Sequence, residues 1–129
     1  MSLKMANHYS FEKLETWTDA RKLVKWIYEA TSKFPPEEKF GLVLQLRRAA
    51  ISVVSNLAEG SARVSAKDQA HFSQIAYSSL IEILNQLIIA QDLNFISQET
   101  LKDGRLRIDE ISNKISALRK SQLSRVRKP

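Results

Sequence analysis

The sequence has no cysteine, and its 129 residues include only three glycines and three prolines. The lack of cysteine excludes disulfides, thiolate metal sites and cysteine nucleophiles. With so little turn-forming material, a tightly turned all-β fold is not expected. Single glycines at positions 41, 60 and 104 cannot form a glycine-rich phosphate loop, and the GxSxG and HExxH signatures are also missing.

Residues suited to metal chemistry are also scarce. The two histidines are His8 and His71, and His71 follows Asp68 by three positions. A di-iron bundle needs a Glu-x-x-His pair on each of two helices and two further carboxylates. We therefore interpret His71 as a polar surface residue. We predict a protein with no cofactor, no metal, no small-molecule substrate and no enzymatic activity.

Long apolar runs are missing as well. No window holds about 18 consecutive apolar residues, so no membrane span is predicted, and the N-terminus lacks the apolar core of a secretory signal. Together with the lack of cysteine, this favours a cytoplasmic location. Residues 1–10 show no clear period and are predicted to be flexible, and Met1, Ser2 and Leu3 resemble residues left by an expression vector.

The net charge of +6 is unevenly distributed along the chain. Residues 119–129 contain five bases and no acids, whereas the rest of the chain carries 15 bases against 14 acids. These five bases are Arg119, Lys120, Arg125, Arg127 and Lys128. They are candidate contacts to RNA or DNA phosphates, and residues 121–129 are predicted to be a basic, flexible tail.

Apolar residues recur at alternating steps of three and four, which predicts four amphipathic helices. Their expected ranges are 11–33, 36–59, 66–92 and 98–120. Pro35 and Pro36 are expected to end the first helix, and Pro36 suits the first turn of the second. Gly60 is expected to end the second helix, and Ser65 and Ser97 are expected N-caps. The short links predict an all-α fold, an antiparallel up-down-up-down four-helix bundle over residues 11–120.

The second predicted helix has three different faces. Its apolar seam comprises Val43, Leu46, Ala50, Val53 and Leu57. A polar stripe comprises Gly41, Gln45, Arg48, Ser52, Ser55 and Glu59. A third, mixed stripe comprises Arg47, Ile51, Val54 and Ala58. Such a helix suits a crowded setting with several neighbouring helices.

The third predicted helix is apolar on nearly all sides. Its two seams are Ala76, Leu80, Ile83, Leu87 and Ala90, and Tyr77, Ile81, Leu84 and Ile88. Burial on more than one side predicts a second subunit, because monomers rarely expose so large an apolar patch. A monomer stays open as the alternative, since several polar residues of this helix could face water. These are Ser73, Gln74, Ser78, Ser79, Asn85 and Gln86.

Five charged residues are candidates for specific pairings. Glu82 is the only formal charge between positions 72 and 90, and we expect it to form an ion pair with Arg47 or Arg48. A catalytic role is disfavoured, because no second acid or nucleophile accompanies it. Glu59 lies in a last helical turn, where an acid opposes the helix dipole. Arg63, or Arg48 of a neighbouring subunit, would compensate, so Glu59 and Arg63 are candidates for a subunit junction.

The adjacent arginines Arg47 and Arg48 are also candidate nucleic-acid contacts. Whether they serve the structure or a partner stays open at this stage. Trp17, Trp26 and Tyr77 lie on apolar stripes, and we interpret them as core residues rather than as platforms for base stacking.

Four motifs carry a family resemblance. They are Phe11-Glu12-Lys13-Leu14 with Trp17 and Ala20, Phe34-Pro35, Gln45-Leu46-Arg47-Arg48-Ala49-Ala50, and Asn56-Leu57-Ala58-Glu59-Gly60. Together they resemble the bacterial four helix bundle protein family, also called the 23S rRNA intervening-sequence family, over about residues 10–120. The paired arginines and the last motif are its most specific parts, and Leu57 stands where isoleucine is commoner.

The resemblance implies an up-down four-helix bundle that assembles as a ring, a homopentamer. Some members of the family are encoded in sequences inserted within large-subunit rRNA genes. A related accessory protein of diversity-generating retroelements forms a similar ring and binds nucleic acid through a basic surface. Two functions follow as alternatives. One is a ring-forming interaction module that binds RNA or DNA, and the other is a protein-binding assembly scaffold with no nucleic-acid role.

Overall fold

The computed structural model describes residues 9–126, which form four α-helices and no β-strand. The helices are α1 (Glu15–Thr31), α2 (Leu42–Ser61), α3 (Ala66–Asp92) and α4 (Gln98–Ser124). Short 3₁₀ turns, Ser10–Lys13 and Pro36–Glu38, precede α1 and α2. The prediction of an all-α protein with four helices is confirmed.

Each helix packs against its neighbours in the sequence, and α1 also contacts α4. The α2–α3 contact is the most extensive, and its hydrogen bonds show the relative direction of the two helices. Gln45, early in α2, accepts from Gln86, late in α3, and Ser52 is bonded to Ser79. These two helices therefore run in opposite directions. The same reversal relates α3 to α4 through the pairs Gln69–Arg125 and Ser73–Gln122.

The core lies between the apolar seams that the sequence predicts. All five seam residues of α2 are buried, and so are Ala76, Leu80, Ile83, Leu87 and Ala90 of α3. Leu101, Ile108, Ile111 and Ile115 of α4 are buried against them. The second seam of α3 is different, because Tyr77 is only half-buried and Ile81 is exposed. The spacing of apolar residues therefore predicted the core correctly. The second seam of α3, which the same spacing identified, is only partly buried.

Two helices begin later than predicted. Leu14 has extended backbone angles (φ −76°, ψ 118°), so α1 starts at Glu15 and the preceding residues form a separate turn. In the second case the Pro36–Glu38 turn is followed by a break at Gly41, and α2 starts at Leu42. Glu38 accepts a hydrogen bond from the Leu42 backbone amide at 3.2 Å, which satisfies one of the free donors at that helix start.

The predicted end of the fourth helix, at Lys120, is wrong. α4 continues to Ser124, because Gln122 is buried (5% exposed) and accepts a hydrogen bond of 2.7 Å from Ser73. Residues 121–124 therefore belong to the folded domain rather than to a flexible tail. The flexible residues predicted before Tyr9 and the tail residues 127–129, which include Arg127 and Lys128, lie outside the described residues.

Gly60 does not end α2, which continues to Ser61. Its φ is not positive, so a left-handed turn is not the reason for the glycine. A Cβ atom at this position would lie 2.8 Å from the Phe72 Cβ and 3.6 Å from the Gln69 carbonyl oxygen. Gly60 therefore permits the close approach of α2 to α3, a role that local sequence cannot reveal.

Candidate subunit and nucleic-acid interfaces

A seam of partly buried polar side chains joins α2 to α3. Ser52 Oγ lies 2.8 Å from Ser79 Oγ, and Gln86 Nε2 donates to Gln45 Oε1 at 3.2 Å and to Glu82 Oε2 at 3.1 Å. Gln86 is buried, and its Oε1 has no hydrogen-bond partner among residues 9–126. Part of the predicted polar stripe of α2 therefore holds α2 and α3 together.

The side chain of Arg47 joins α2 to α1. Its Nε donates to Thr31 Oγ1 at 3.0 Å, and one terminal nitrogen donates to the Tyr28 carbonyl at 3.4 Å. Its guanidinium also lies over the Tyr28 ring, 4.4 Å from the centroid. The planar guanidinium thus donates two hydrogen bonds and stacks at once, which the ammonium of lysine cannot reproduce.

The predicted ion pair of Glu82 with Arg47 or Arg48 is not formed. The four ion-pair contacts in the described part of the chain involve only Arg107 and Lys114 as bases. Glu82 is exposed and accepts from Gln86, so no buried charge needs neutralising. The register of α2 and α3 does place Arg48 level with Glu82, between the glutamine and serine pairs, and both side chains are exposed.

Glu59 and Arg63, the predicted junction residues, do not pair with each other. Glu59 is exposed near the end of α2. Arg63 instead lies over the Phe72 ring at 4.5 Å, while Gln69 Nε2 donates to its carbonyl oxygen at 2.9 Å. Arg63 therefore secures the α2–α3 connection, and Glu59 stays available at the surface.

An apolar groove of about 420 Å³ runs along the outer side of α1 and α2, and sequence reasoning did not identify it. Its residues, which we call the α1–α2 groove, are Trp17, Arg21, Val24, Lys25, Tyr28, Ile51 and Val54. Ile51 is 42% exposed and Tyr28 is 40% exposed. Ile51 and Val54 belong to the mixed stripe of α2. The apolar residues of that stripe could have indicated this surface from the sequence. The charged residues of the groove, Arg21 and Lys25, are both basic.

A second exposed apolar surface lies on α3. Ile81 and Ile89 are 42% and 39% exposed, and Glu82 and Asn85 accompany them at the surface. We call these four residues the α3 face. Isolated surface isoleucines are ordinary, but here two lie on one helix whose opposite side is fully buried. The sequence predicted that α3 carries more apolar residues than one core can bury, and the exposure of Ile81 and Ile89 is consistent with that prediction.

Two basic residues near the end of α4, Arg119 and Lys120, line a groove between α3 and α4, whereas Arg125 lies outside it. This α3–α4 groove, of about 250 Å³, is lined by Gln74, Tyr77, Ile115, Ser116, Arg119, Lys120 and Leu123. Arg119 Nε is buried and has no hydrogen-bond partner within residues 9–126. Arg125 donates to the neutral Gln69 at 3.2 Å. None of these three bases pairs with an acid in the described chain.

The side chain of Lys114 links α4 to α1. It donates to the Glu15 and Asp19 carboxylates of α1, and Glu110 lies 3.5 Å away on α4. The hydrogen bonds to Asp19 and Glu15 raise the pKa of Lys114 above its ordinary value. This lysine is therefore charged throughout the physiological range and fastens the first helix to the last. Near the other end of α1, Trp26 Nε1 donates to Asp103 at 3.0 Å.

The described residues include no group of three or more histidine, aspartate or glutamate side chains placed to hold a metal ion. None of the four helices in this part of the chain is long and apolar enough to cross a bilayer. The fold is that of an all-α protein with four helices. Its candidate contact surfaces are the α1–α2 groove, the α3 face and the α3–α4 groove.

Comparison with known proteins identifies the family. The model of the family described as 23S rRNA-intervening sequence protein matches residues 12–117. The chain belongs to this family, as its motifs indicated. No curated protein matches the chain.

Proposed function

We propose that the chain is a non-enzymatic, antiparallel up-down bundle that assembles with copies of itself into a ring. The observation that carries this proposal is the α1–α2 groove, an apolar surface with a basic edge. Apolar surface of this kind commonly marks a protein contact. The family resemblance supports a pentamer as the closed form.

The α3 face of a second copy is the occupant that fits this groove best. Ile81 and Ile89 offer apolar side chains, and Glu82 is the only formal charge between positions 72 and 90. A single acid on an apolar face complements a groove whose charged residues are Arg21 and Lys25. Glu82 would thereby face the cations of a neighbouring subunit rather than an arginine of its own.

This contact joins two different surfaces, so it is head-to-tail. Contacts of this type generate closed rings when the rotation between copies closes. Glu59, exposed at the end of α2, and Arg63 remain the candidate residues for the subunit junction.

Light scattering of the purified protein tests assembly directly. A pentamer has a mass of about 74 kDa, five times the 14.7 kDa of the chain. Ile51→Glu places a charge in the α1–α2 groove and is expected to yield monomers. Leu106→Glu is the matched control, because Leu106 is an exposed apolar residue of α4 (62% exposed) outside both surfaces. A monomeric wild-type protein, or dissociation by L106E alone, would refute this assignment.

We propose nucleic-acid binding as a second function, carried by Arg119, Lys120 and Arg125 at the end of α4. These bases have no acidic partner within residues 9–126, so their charge is available to phosphate groups. Arg48, exposed on α2, is a further candidate, whereas Arg47 is engaged with Thr31 and Tyr28.

Titration of a fluorescent structured RNA at 50 mM and at 200 mM salt tests this function. Phosphate contacts release counterions, so affinity is expected to fall with salt, and the double variant K120Q/R125Q is expected to reduce the slope by about two. Absence of binding at low salt by an assembled wild-type protein would favour the protein-binding scaffold instead.

A further inference from the structure

We propose that the α3–α4 groove is a subsite for one nucleotide of a single-stranded nucleic acid. The base would lie against Tyr77 and Leu123, and the phosphate would contact Arg119 and Lys120. This inference rests on the nucleic-acid binding proposed above and extends it from charge attraction to recognition of an unpaired base.

The size and floor of the groove suit a single planar ring. Its volume of about 250 Å³ is below the ~300–1,000 Å³ typical of sites for whole drug-sized ligands. Tyr77 is half-buried, and Leu123 is 45% exposed although it is a large apolar residue. An aromatic ring at the floor of a basic groove is the arrangement on which exposed bases stack in proteins that bind single strands.

The polar groups of the groove complement a nucleotide. Arg119 lines the groove, and its guanidinium carries several N–H donors in a fork that suits a phosphate group. Lys120 adds a second cation, and none of the residues that line the groove is an acid. Gln74 and Ser116 place an amide and a hydroxyl in the lining, where they can hydrogen-bond the edge of a base.

The preference for a single strand follows from the geometry of the floor. Bases in a duplex are stacked on each other, and only unpaired bases are free to stack on a side chain. Duplex RNA would contact the cations at the mouth of the groove but would leave Tyr77 untouched. Single-strand and duplex affinities should therefore respond differently to changes at Tyr77.

The test uses a 12-nucleotide RNA that carries one 2-aminopurine, as a single strand and as a duplex, at 50 mM salt. Tyr77→Leu keeps the apolar bulk but removes the ring, and is expected to lower single-strand affinity about tenfold and to leave duplex affinity unchanged. Arg119→Gln is expected to lower both affinities and to reduce the salt slope by about one. Phe40→Leu is the matched control, since Phe40 is an aromatic residue 80% exposed that does not line the groove.

The outcomes separate the subsite from the broader function. If the wild-type protein binds neither RNA form, both proposals fail. If it binds but Y77L changes the single-strand to duplex ratio no more than F40L does, the subsite alone fails. Displacement of the RNA by polyglutamate as readily as by unlabelled RNA would also overturn it. If Y77L does not fold, Leu123→Ser removes the exposed part of the floor and should reduce the same ratio.

Discussion

Replacement of Arg47 by lysine tests whether this arginine stabilises the subunit. The change keeps the positive charge but removes the paired donors to Thr31 and Tyr28 and the stacking on the Tyr28 ring. Hydrogen bonds from charged groups contribute ~1.5–3 kcal/mol, and a cation–π contact near the surface contributes ~0.5–1 kcal/mol. Lysine retains part of both, so we expect R47K to lower the free energy of unfolding by about 1.5 kcal/mol.

Arg48→Lys is the matched control, because Arg48 is the next residue on the same helix and is exposed. Its expected effect is within about 0.5 kcal/mol, as for most surface substitutions. Urea unfolding followed by circular dichroism measures both variants. With a slope of ~1–3 kcal/mol per molar urea, R47K should shift the midpoint by about 0.5–1.5 M.

The proposed assembly calls for a control in this measurement. Arg47 lies over Tyr28, a residue of the α1–α2 groove, and oligomerisation makes apparent stability depend on protein concentration. The midpoints are therefore compared at two protein concentrations. Equal effects of R47K and R48K, or an R47K effect seen at only one concentration, would refute a role for Arg47 within the subunit.

Three further predictions concern other contacts. Gly60→Ala gains ~1 kcal/mol of helix propensity but overpacks against Phe72 by ~1–3 kcal/mol, so thermal melting should show a net loss of about 1 kcal/mol, and a net gain would contradict the close-approach role. Ser73→Ala leaves the buried Gln122 oxygen without its donor and should cost ~1–3 kcal/mol in urea unfolding, more than Ser79→Ala at the part-buried seam. The Lys114 pKa is raised, so the stability difference between the wild type and K114Q should be constant from pH 6 to 9 and should shrink only above the unfolded pKa of ~10.4.

Spacing along the sequence predicted the helices and their core because burial of apolar side chains follows the helical period. Val53, Leu80 and Ile83 are fully buried, as their seams require. Helix ends were harder to predict, because tertiary contacts decide them. α4 extends to Ser124 because Gln122 finds Ser73 on another helix, and no local signal records that pair.

The charged sites show the same limit. The sequence placed Glu82 level with the arginines of α2, and the register of the helices agrees with that placement for Arg48. It did not show that Arg47 turns towards α1 and Tyr28, because the direction of a long side chain depends on its neighbours in three dimensions. Tyr77, which its spacing predicts as a core residue, packs against the core and also lines the α3–α4 groove, and the sequence did not show this second contact.

The link from Lys114 to α1 has a consequence for the order in which the fold opens. α1 contacts α4 less extensively than α2 contacts α3, and the ionic part of that contact is partly open to solvent, with Glu15 77% exposed. Dissolved ions screen such charges, whereas they leave buried apolar contacts intact. Amide hydrogen exchange should therefore be fastest in α1, should increase there as salt is added, and should be slowest in the central turns of α2 and α3.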